Sequence, residues 1–133
     1  MKDFKKKTVA FDFDGTLVKD CYPGIGAPNL EMFAIARNLK ENGHNIILWT
    51  CRTCQKLAEA VHYCKEHHEL EFHAVNSNVQ EMIDKYGDDP RKVSADFYVD
   101  DRALVNTKQV LRVLESYNMT DKELIEEFAN GRY

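Results

Sequence analysis

Apolar runs alternate with segments of helically spaced apolar residues along most of this chain of 133 residues. The runs are rich in β-branched and aromatic residues, which is typical of buried strands. Strands are predicted at residues 8–13, 45–49, 70–75 and 95–99. Buried helical faces are predicted for Met32, Ile35, Ala36 and Leu39; for Leu57, Ala60, Val61 and Cys64; and for Val79, Met82, Ile83 and Tyr86. This alternation predicts an α/β fold, a three-layer Rossmann-like open parallel sheet with helices on both faces.

Local signals predict where the helices begin and end. Pro28 suits a first helical turn, and Gly43 and Gly87 suit the positions that follow a last turn. Ser77 with Gln80, or Asn78 with Glu81, would form a capping box. Beyond residue 101, two further boxes predict two more helices, and they are Asn106 with Gln109 and Thr120 with Glu123. The whole chain, residues 1–133, is expected to form one domain.

Composition narrows the class of partner and the compartment. The net charge of −4 does not favour a nucleic-acid partner, although a local basic patch would still allow one. No apolar stretch approaches the length of a membrane span, and residues 1–7 lack the apolar core of a signal peptide. We therefore expect a cytoplasmic protein with reduced cysteines. Cys51 and Cys54 form a lone C-x-x-C, for which plain packing is favoured over a zinc or redox site.

Three of the four predicted strands end in residues capable of chemistry, and these are Asp12, Thr50 and Asp100. Because parallel strands place their carboxyl ends at one edge, we expect these residues to meet there. Asp12 and Asp14 are one residue apart, and a bound cation would relieve their repulsion. Gly15 permits a sharp turn and a close approach of backbone to ligand. The alternative is a solvated strand end with two capping carboxylates.

Three of these segments resemble motifs of the haloacid dehalogenase superfamily. Asp12–Thr16 resembles its first motif, Ile46–Thr50 its second, and Phe97–Asp101 its fourth. The third motif is a single basic residue, for which Lys92 is our choice and Lys85 and Arg91 are the rivals. Lys92 stands closer to the acidic pair than in many members of the superfamily.

The resemblance implies a magnesium-dependent phosphohydrolase that acts on a phosphomonoester. Asp12 would be the nucleophile that forms an aspartyl-phosphate, and Asp14 the general acid and base. Thr50 and Lys92 would hold the phosphate oxygens. The implied metal ligands are Asp12, Asp100 and the backbone carbonyl of Asp14, and Asp101 would bind the ion through water or support one of these ligands. In this superfamily an aspartate at the position of Asp14 marks phosphoryl transfer and argues against carbon–halogen chemistry.

The substrate itself is less defined by the sequence. The candidate substrate contacts are Gly15 and Thr16 within the first motif and Cys51, Arg52 and Arg102 beside the second and fourth. An ion pair is an equal alternative for each arginine. No segment is long enough for a cap domain, so a small phosphorylated substrate would reach an open site, or a second copy of the chain would cover it. The alternatives are a nucleotide or nucleic-acid-end phosphatase and, in another class, a non-catalytic phosphate-binding regulatory domain.

Overall fold

The computed structural model of the protein describes residues 4–102, and these build a four-stranded, all-parallel sheet. The strands are β1 (Thr8–Phe11), β2 (Asn45–Leu48), β3 (Ala74–Val75) and β4 (Phe97–Val99), and the helices are α1 (Leu30–Glu41), α2 (Cys54–His68) and α3 (Gln80–Tyr86). The predicted open α/β sheet is confirmed. The two helices predicted beyond residue 101 lie outside the described residues, and the single-domain assignment stays a prediction.

The strand order β3-β2-β1-β4 makes β1 the pivot of the sheet. The chain builds outward from β1 through β2 to β3 and then returns to add β4 on the other side of β1. Ala10 consequently pairs with Ile47 on one side and with Tyr98 on the other. Ligands of open α/β sheets bind where the strand order reverses, at the carboxyl ends of the strands. In this sheet that position lies between β1 and β4.

Helices cover both faces of the sheet. On one face, Ala10 and Ile47 pack with the buried Val79 and Val93, and Met82 of α3 packs against this cluster. Since side chains alternate along a strand, Val9 and Phe11 point to the other face. On that side Tyr63 of α2 contacts both Phe13 and Phe33, with ring centroids 6.4 Å apart in each pair. Burial on both faces explains why β1 and β2 are almost wholly apolar.

The strands are shorter than predicted because turns and caps take their outer residues. The carbonyl of Phe13 accepts hydrogen bonds from three following N–H groups, so Phe13 belongs to a turn and not to β1. Leu70 donates its N–H to the Cys64 carbonyl at 3.0 Å and therefore closes the end of α2. The Asp96 carboxylate accepts the N–H of Thr8 at 2.8 Å, ahead of β4.

Helix α1 begins at Leu30, so Pro28 lies two residues before the helix and not in its first turn as predicted. The Asn29 side chain caps it by accepting the N–H of Met32 at 3.1 Å. Its end is as predicted, since Gly43 has a φ of +89° and donates to the Lys40 carbonyl at 3.0 Å. The buried stripe of α1 includes Phe33, which the predicted face lacked.

Helix α3 departs furthest from its predicted capping. Its N-cap, Val79, has no side-chain capping bond, so both proposed capping boxes are wrong. Asn78 is buried and binds outside the helix, where it donates to Asp89 at 2.7 Å and accepts the N–H of Ser94 at 2.5 Å. Tyr86, predicted on the buried face, is 64% exposed. Gly87 ends the helix as predicted, with a φ of +74°.

Candidate functional site

Three carboxylates meet at the point where the strand order reverses. Asp12 follows β1, and Asp100 and Asp101 follow β4. One oxygen from each carboxylate lies within 4.8 Å of the others, and we refer to these three residues as the acidic cluster. The N–H of Asp12 donates to the Val99 carbonyl at 2.9 Å, which fixes the end of β1 beside the end of β4. The structure thus brings together acids that are far apart in the sequence.

The Asp12 carboxyl is strongly perturbed in this position. Burial, followed by the charge of Asp100 and the proximity of Asp101, raises the pKa of Asp12 from its ordinary 3.8 to about 7. A carboxyl whose pKa is higher in the folded state favours folding most at low pH. Its contribution is therefore lost as the pH rises through this interval, from 3.8 to about 7. Near neutral pH, burial of Asp12 and repulsion between the carboxylates therefore destabilise the folded state.

The donor set of the cluster matches a hard divalent cation. It offers carboxylate oxygens alone, which Mg²⁺ and Ca²⁺ prefer to nitrogen or sulfur. A cation would also offset the mutual repulsion that raises the pKa of Asp12. Among the acidic, histidine and cysteine side chains of residues 4–102, those of the acidic cluster lie close enough together to hold a metal ion.

The turn after β1 holds Asp101 in place. Gly15 has a φ of +89°, and a Cβ there would lie 2.6 Å from the Asp101 carboxylate carbon, so a larger residue would displace that carboxylate. The buried Thr16 hydroxyl accepts the N–H of Asp101 at 3.2 Å. Both residues were predicted to contact substrate. In the structure both lie against Asp101, and their contact with a substrate stays a prediction.

Asp14 lies beside the cluster in a bidentate pair with Arg52. Both Asp14 oxygens accept guanidinium hydrogen bonds, from Nε and Nη2, at 2.7 Å each. The Arg52 side chain is only 1% exposed, against 17% for Asp14. Hydrogen bonding to Asp14 raises the pKa of Arg52. Of the two roles predicted for Arg52, the structure shows the ion pair, in its buried form, and the substrate contact stays a prediction.

Two rings and two backbone carbonyls, those of Gly24 and Lys56, also surround the Arg52 guanidinium. Its guanidinium carbon lies 5.0 Å from the Phe13 ring centroid and 5.1 Å from that of Tyr22. Its Nη2 also donates to the Gly24 carbonyl at 2.6 Å. Arg52 therefore joins Asp14 to the loop of residues 17–28.

Thr50 is held by a residue that sequence reasoning missed. The Asn76 side chain accepts the N–H of Thr50 at 2.8 Å and donates to the Arg52 carbonyl at 3.4 Å. The Thr50 hydroxyl accepts the N–H of Arg52 at 3.1 Å. Asn76 follows β3 with a φ of +52°, a conformation that asparagine tolerates better than most residues. An asparagine directly after a predicted strand was the available signal.

The predicted basic residues lie on the surface. The ammonium of Lys92 is 5.5 Å from the Tyr98 ring centroid, and that of Lys85 is 5.3 Å from the Tyr86 centroid. Arg91 is exposed, as is Arg102, which follows Asp101 in the sequence. The described partner of Lys92 is thus an aromatic ring, and its role in phosphate binding stays a prediction.

The cysteines depart from the packing that we favoured. Cys51 and Cys54 are exposed free thiols, so plain packing is wrong for both. Cys64 is buried in α2, and burial raises the pKa of its thiol to about 12. No thiol belongs to the converging metal-ligand group found within residues 4–102.

We expect Arg52→Ala to lower the free energy of unfolding by about 3 kcal/mol, because it leaves a largely buried carboxylate without its partner. It also removes the cation between the Phe13 and Tyr22 rings. Arg52→Lys keeps the charge without the bidentate geometry and should recover less than half of this loss. Urea unfolding at neutral pH measures both variants. Wild-type stability in Arg52→Ala would contradict the structural importance of the pair.

Together, the fold and the site define a Rossmann-like α/β protein with a carboxylate cluster at the carboxyl edge of its sheet. The chain is 31% identical to a solved structure of a conserved protein coded by a locus of Bacteroides thetaiotaomicron, with a TM-score of 0.71. The match covers 87% of this chain and 94% of that one. The chain belongs to the same family as this Bacteroides protein. No protein-family model and no curated protein matches the chain.

The comparison shows the family and the fold, and it does not show an activity for this chain.

Among the described residues, no helix is both long enough and apolar enough to cross a membrane.

Proposed function

We propose that the protein is a magnesium-dependent phosphohydrolase of the haloacid dehalogenase type. It acts on a phosphomonoester through an aspartyl-phosphate on Asp12. The observation that carries this proposal is the convergence of Asp12, Asp100 and Asp101 within 4.8 Å at the reversal point of the sheet. A solvated strand end would not require Asp12 to be partly buried between two other acids.

The acidic cluster would hold the Mg²⁺, together with the backbone carbonyl of Asp14 that the family resemblance implies. When bound, the ion offsets the repulsion between a carboxylate and a phosphoryl group. The remaining chemistry belongs to side chains of the protein. Asp12 is suited to the nucleophile because it is the cluster member that extends from the central strand.

The proposed reaction consists of two displacements at phosphorus. An Asp12 oxygen forms a bond to phosphorus while the bond to the leaving alcohol oxygen breaks, and Asp14 gives that oxygen its proton. Asp14 then takes a proton from the water that cleaves the aspartyl-phosphate, which releases phosphate and restores Asp12. Arg52 would orient Asp14 through both of its oxygens while Asp14 is ionised. Thr50 and Lys92 are proposed to bind the phosphate oxygens.

The proposal also includes an open active site without a cap domain. The described fold has no segment between β1 and β2, apart from α1 and the loop of residues 17–28, that would form a cap. An open site suits a small phosphorylated substrate in the cytoplasm, and a second copy of the chain would be its cover. Molecular mass in solution, measured by light scattering with and without Mg²⁺, tests that cover directly.

A phosphate-release assay tests the proposed activity. With Mg²⁺ and an aryl phosphate, the purified protein should release phosphate, and excess EDTA should stop the reaction until Mg²⁺ is restored. Turnover that persists in metal-free buffer would contradict the mechanism. Tight binding of phosphate without turnover of any phosphomonoester in a broad panel would favour the non-catalytic regulatory domain.

The magnesium requirement should depend on pH. Because a proton and Mg²⁺ compete for the Asp12 carboxylate, whose pKa is about 7, the ion binds more weakly in acid. We expect the half-activating Mg²⁺ concentration to be about tenfold higher at pH 6 than at pH 8. Initial rates across a magnesium titration measure it at each pH. A half-activating concentration that does not change would show that Asp12 does not bind the ion.

A further inference from the structure

The loop of residues 17–28, which we term the flap, is firmly anchored at its base. Leu17 and Val18 are fully buried in the core. Across the flap, Lys19 donates its N–H to the Ala27 carbonyl at 2.8 Å. A Cβ at Gly26 would collide with the Lys19 carbonyl, so the two limbs of the flap are in close contact. The tip of the flap therefore extends from a closely packed base.

An aromatic ring stands exposed at this tip. Tyr22 is 59% exposed, although a tyrosine ring of this kind gains from burial. One part of the ring lies against the Arg52 guanidinium, at 5.1 Å from the ring centroid to the guanidinium carbon. The same guanidinium holds the Gly24 carbonyl two residues further along the flap. The ring is therefore positioned from behind while much of its surface remains open.

Arg52 also fixes where this ring stands relative to the chemistry. Its guanidinium binds both oxygens of Asp14 and contacts Tyr22. In the proposed mechanism Asp14 touches the leaving oxygen of the substrate. The group attached to that oxygen must therefore extend past Asp14. Tyr22 is the exposed ring that contacts the same Arg52 guanidinium as Asp14.

The other exposed aromatic side chains of the described residues have different positions. Phe4 contacts His44 before β2, at the amino edge of the sheet, with ring centroids 5.2 Å apart. Tyr86 closes α3, and helices of an α/β sheet end at the edge opposite to the ligand site. Position thus distinguishes Tyr22 from residues of similar exposure.

We propose that Tyr22 determines substrate specificity by stacking on a planar ring carried by the leaving group. The substrate class is a phosphomonoester such as a nucleoside monophosphate, in which a flat base lies beyond the leaving oxygen. This inference rests on the proposed function and narrows it towards the nucleotide alternative. Stacking on an aromatic side chain is tolerant of the identity of the base, so the preference should be for planarity over a particular base.

A matched pair of substrates isolates the ring. Uridine 5′-monophosphate and ribose 5-phosphate release phosphate from the same sugar oxygen, and only the first carries a base. We expect wild-type kcat/KM to be roughly five- to tenfold higher for the nucleotide, the range of one aromatic stacking contact. Tyr22→Ala should remove this preference by lowering kcat/KM for the nucleotide alone.

Two further variants separate stacking from other effects. Tyr22→Phe keeps the ring and should keep the preference for the nucleotide. Tyr86→Ala removes a tyrosine of similar exposure, 64% against 59%, and should leave kcat/KM unchanged for both substrates. Equal losses for both substrates in Tyr22→Ala, or no loss, would overturn the inference. Wild-type protein that hydrolyses both substrates equally, or that hydrolyses neither while still releasing phosphate from the aryl phosphate, overturns this inference alone. Protein that hydrolyses none of the three overturns it together with the proposed function.

Discussion

Replacing Asp12 with asparagine should reduce magnesium-dependent phosphate release by at least about 10⁴-fold. An amide oxygen is a poor nucleophile, and the substitution also removes a charge from the acidic cluster. The variant should still fold, because asparagine matches aspartate in shape and the N–H that pairs with Val99 is unchanged. Steady-state rates, combined with thermal unfolding of the same preparation, measure both expectations.

Asp96→Asn is the matched control for this loss. Asp96 is also an acid beside a strand of the sheet, but it precedes β4 and accepts the N–H of Thr8 at the opposite edge. Its replacement should change the rate by no more than about twofold, since surface substitutions away from a site have small effects. If Asp12→Asn retained the wild-type rate, Asp12 would not be the nucleophile.

Replacing Asp100 with asparagine should have opposite effects on the metal-free and the magnesium-containing protein. Without metal, the variant should be more stable than the wild type by about 1 kcal/mol at pH 8, because the charge of Asp100 helps to raise the pKa of Asp12. With Mg²⁺, the wild type should gain stability by mass action, and the variant should gain little. Turnover should fall with the loss of metal binding.

Thermal unfolding at pH 8, in EDTA and in a magnesium series, distinguishes this account from simple damage to the fold. The gain in EDTA should shrink near pH 5, where Asp12 is protonated and the repulsion is relieved. Asp96→Asn again provides the control, with a magnesium response like that of the wild type. A variant of Asp100 that is destabilised in EDTA, or that keeps the full magnesium response, would contradict a shared cation site.

The long-range features of the fold that depend on repeated hydrophobic patterns could be predicted from the sequence. The alternation of apolar runs and helical faces predicted the parallel sheet, because both faces of β1 and β2 must be buried. The meeting of Asp12 and Asp100 could be anticipated for a related reason, since all parallel strands end at one edge. That Asp12 and Asp100 follow adjacent strands depends on the strand order, which the pattern does not specify.

Contacts made by loops were not accessible in the same way. The predicted boxes at Ser77 and Asn78 used residues adjacent in sequence, whereas Asn78 finds its partners in Asp89 and Ser94. The bidentate pair of Asp14 and Arg52 and the bond from Thr50 to Asn76 likewise join different loops. Such bonds depend on backbone paths that hydrophobic spacing leaves undetermined.

A crystal structure of the protein grown with Mg²⁺ and beryllium fluoride tests the central claim most directly. Beryllium fluoride mimics a phosphoryl group on a carboxylate, so the account predicts it bonded to an Asp12 oxygen, with one metal ion held between Asp12 and Asp100. Density for the fluoride elsewhere, or side chains of Asp12 and Asp100 that turn away from each other around no ion, would contradict the account.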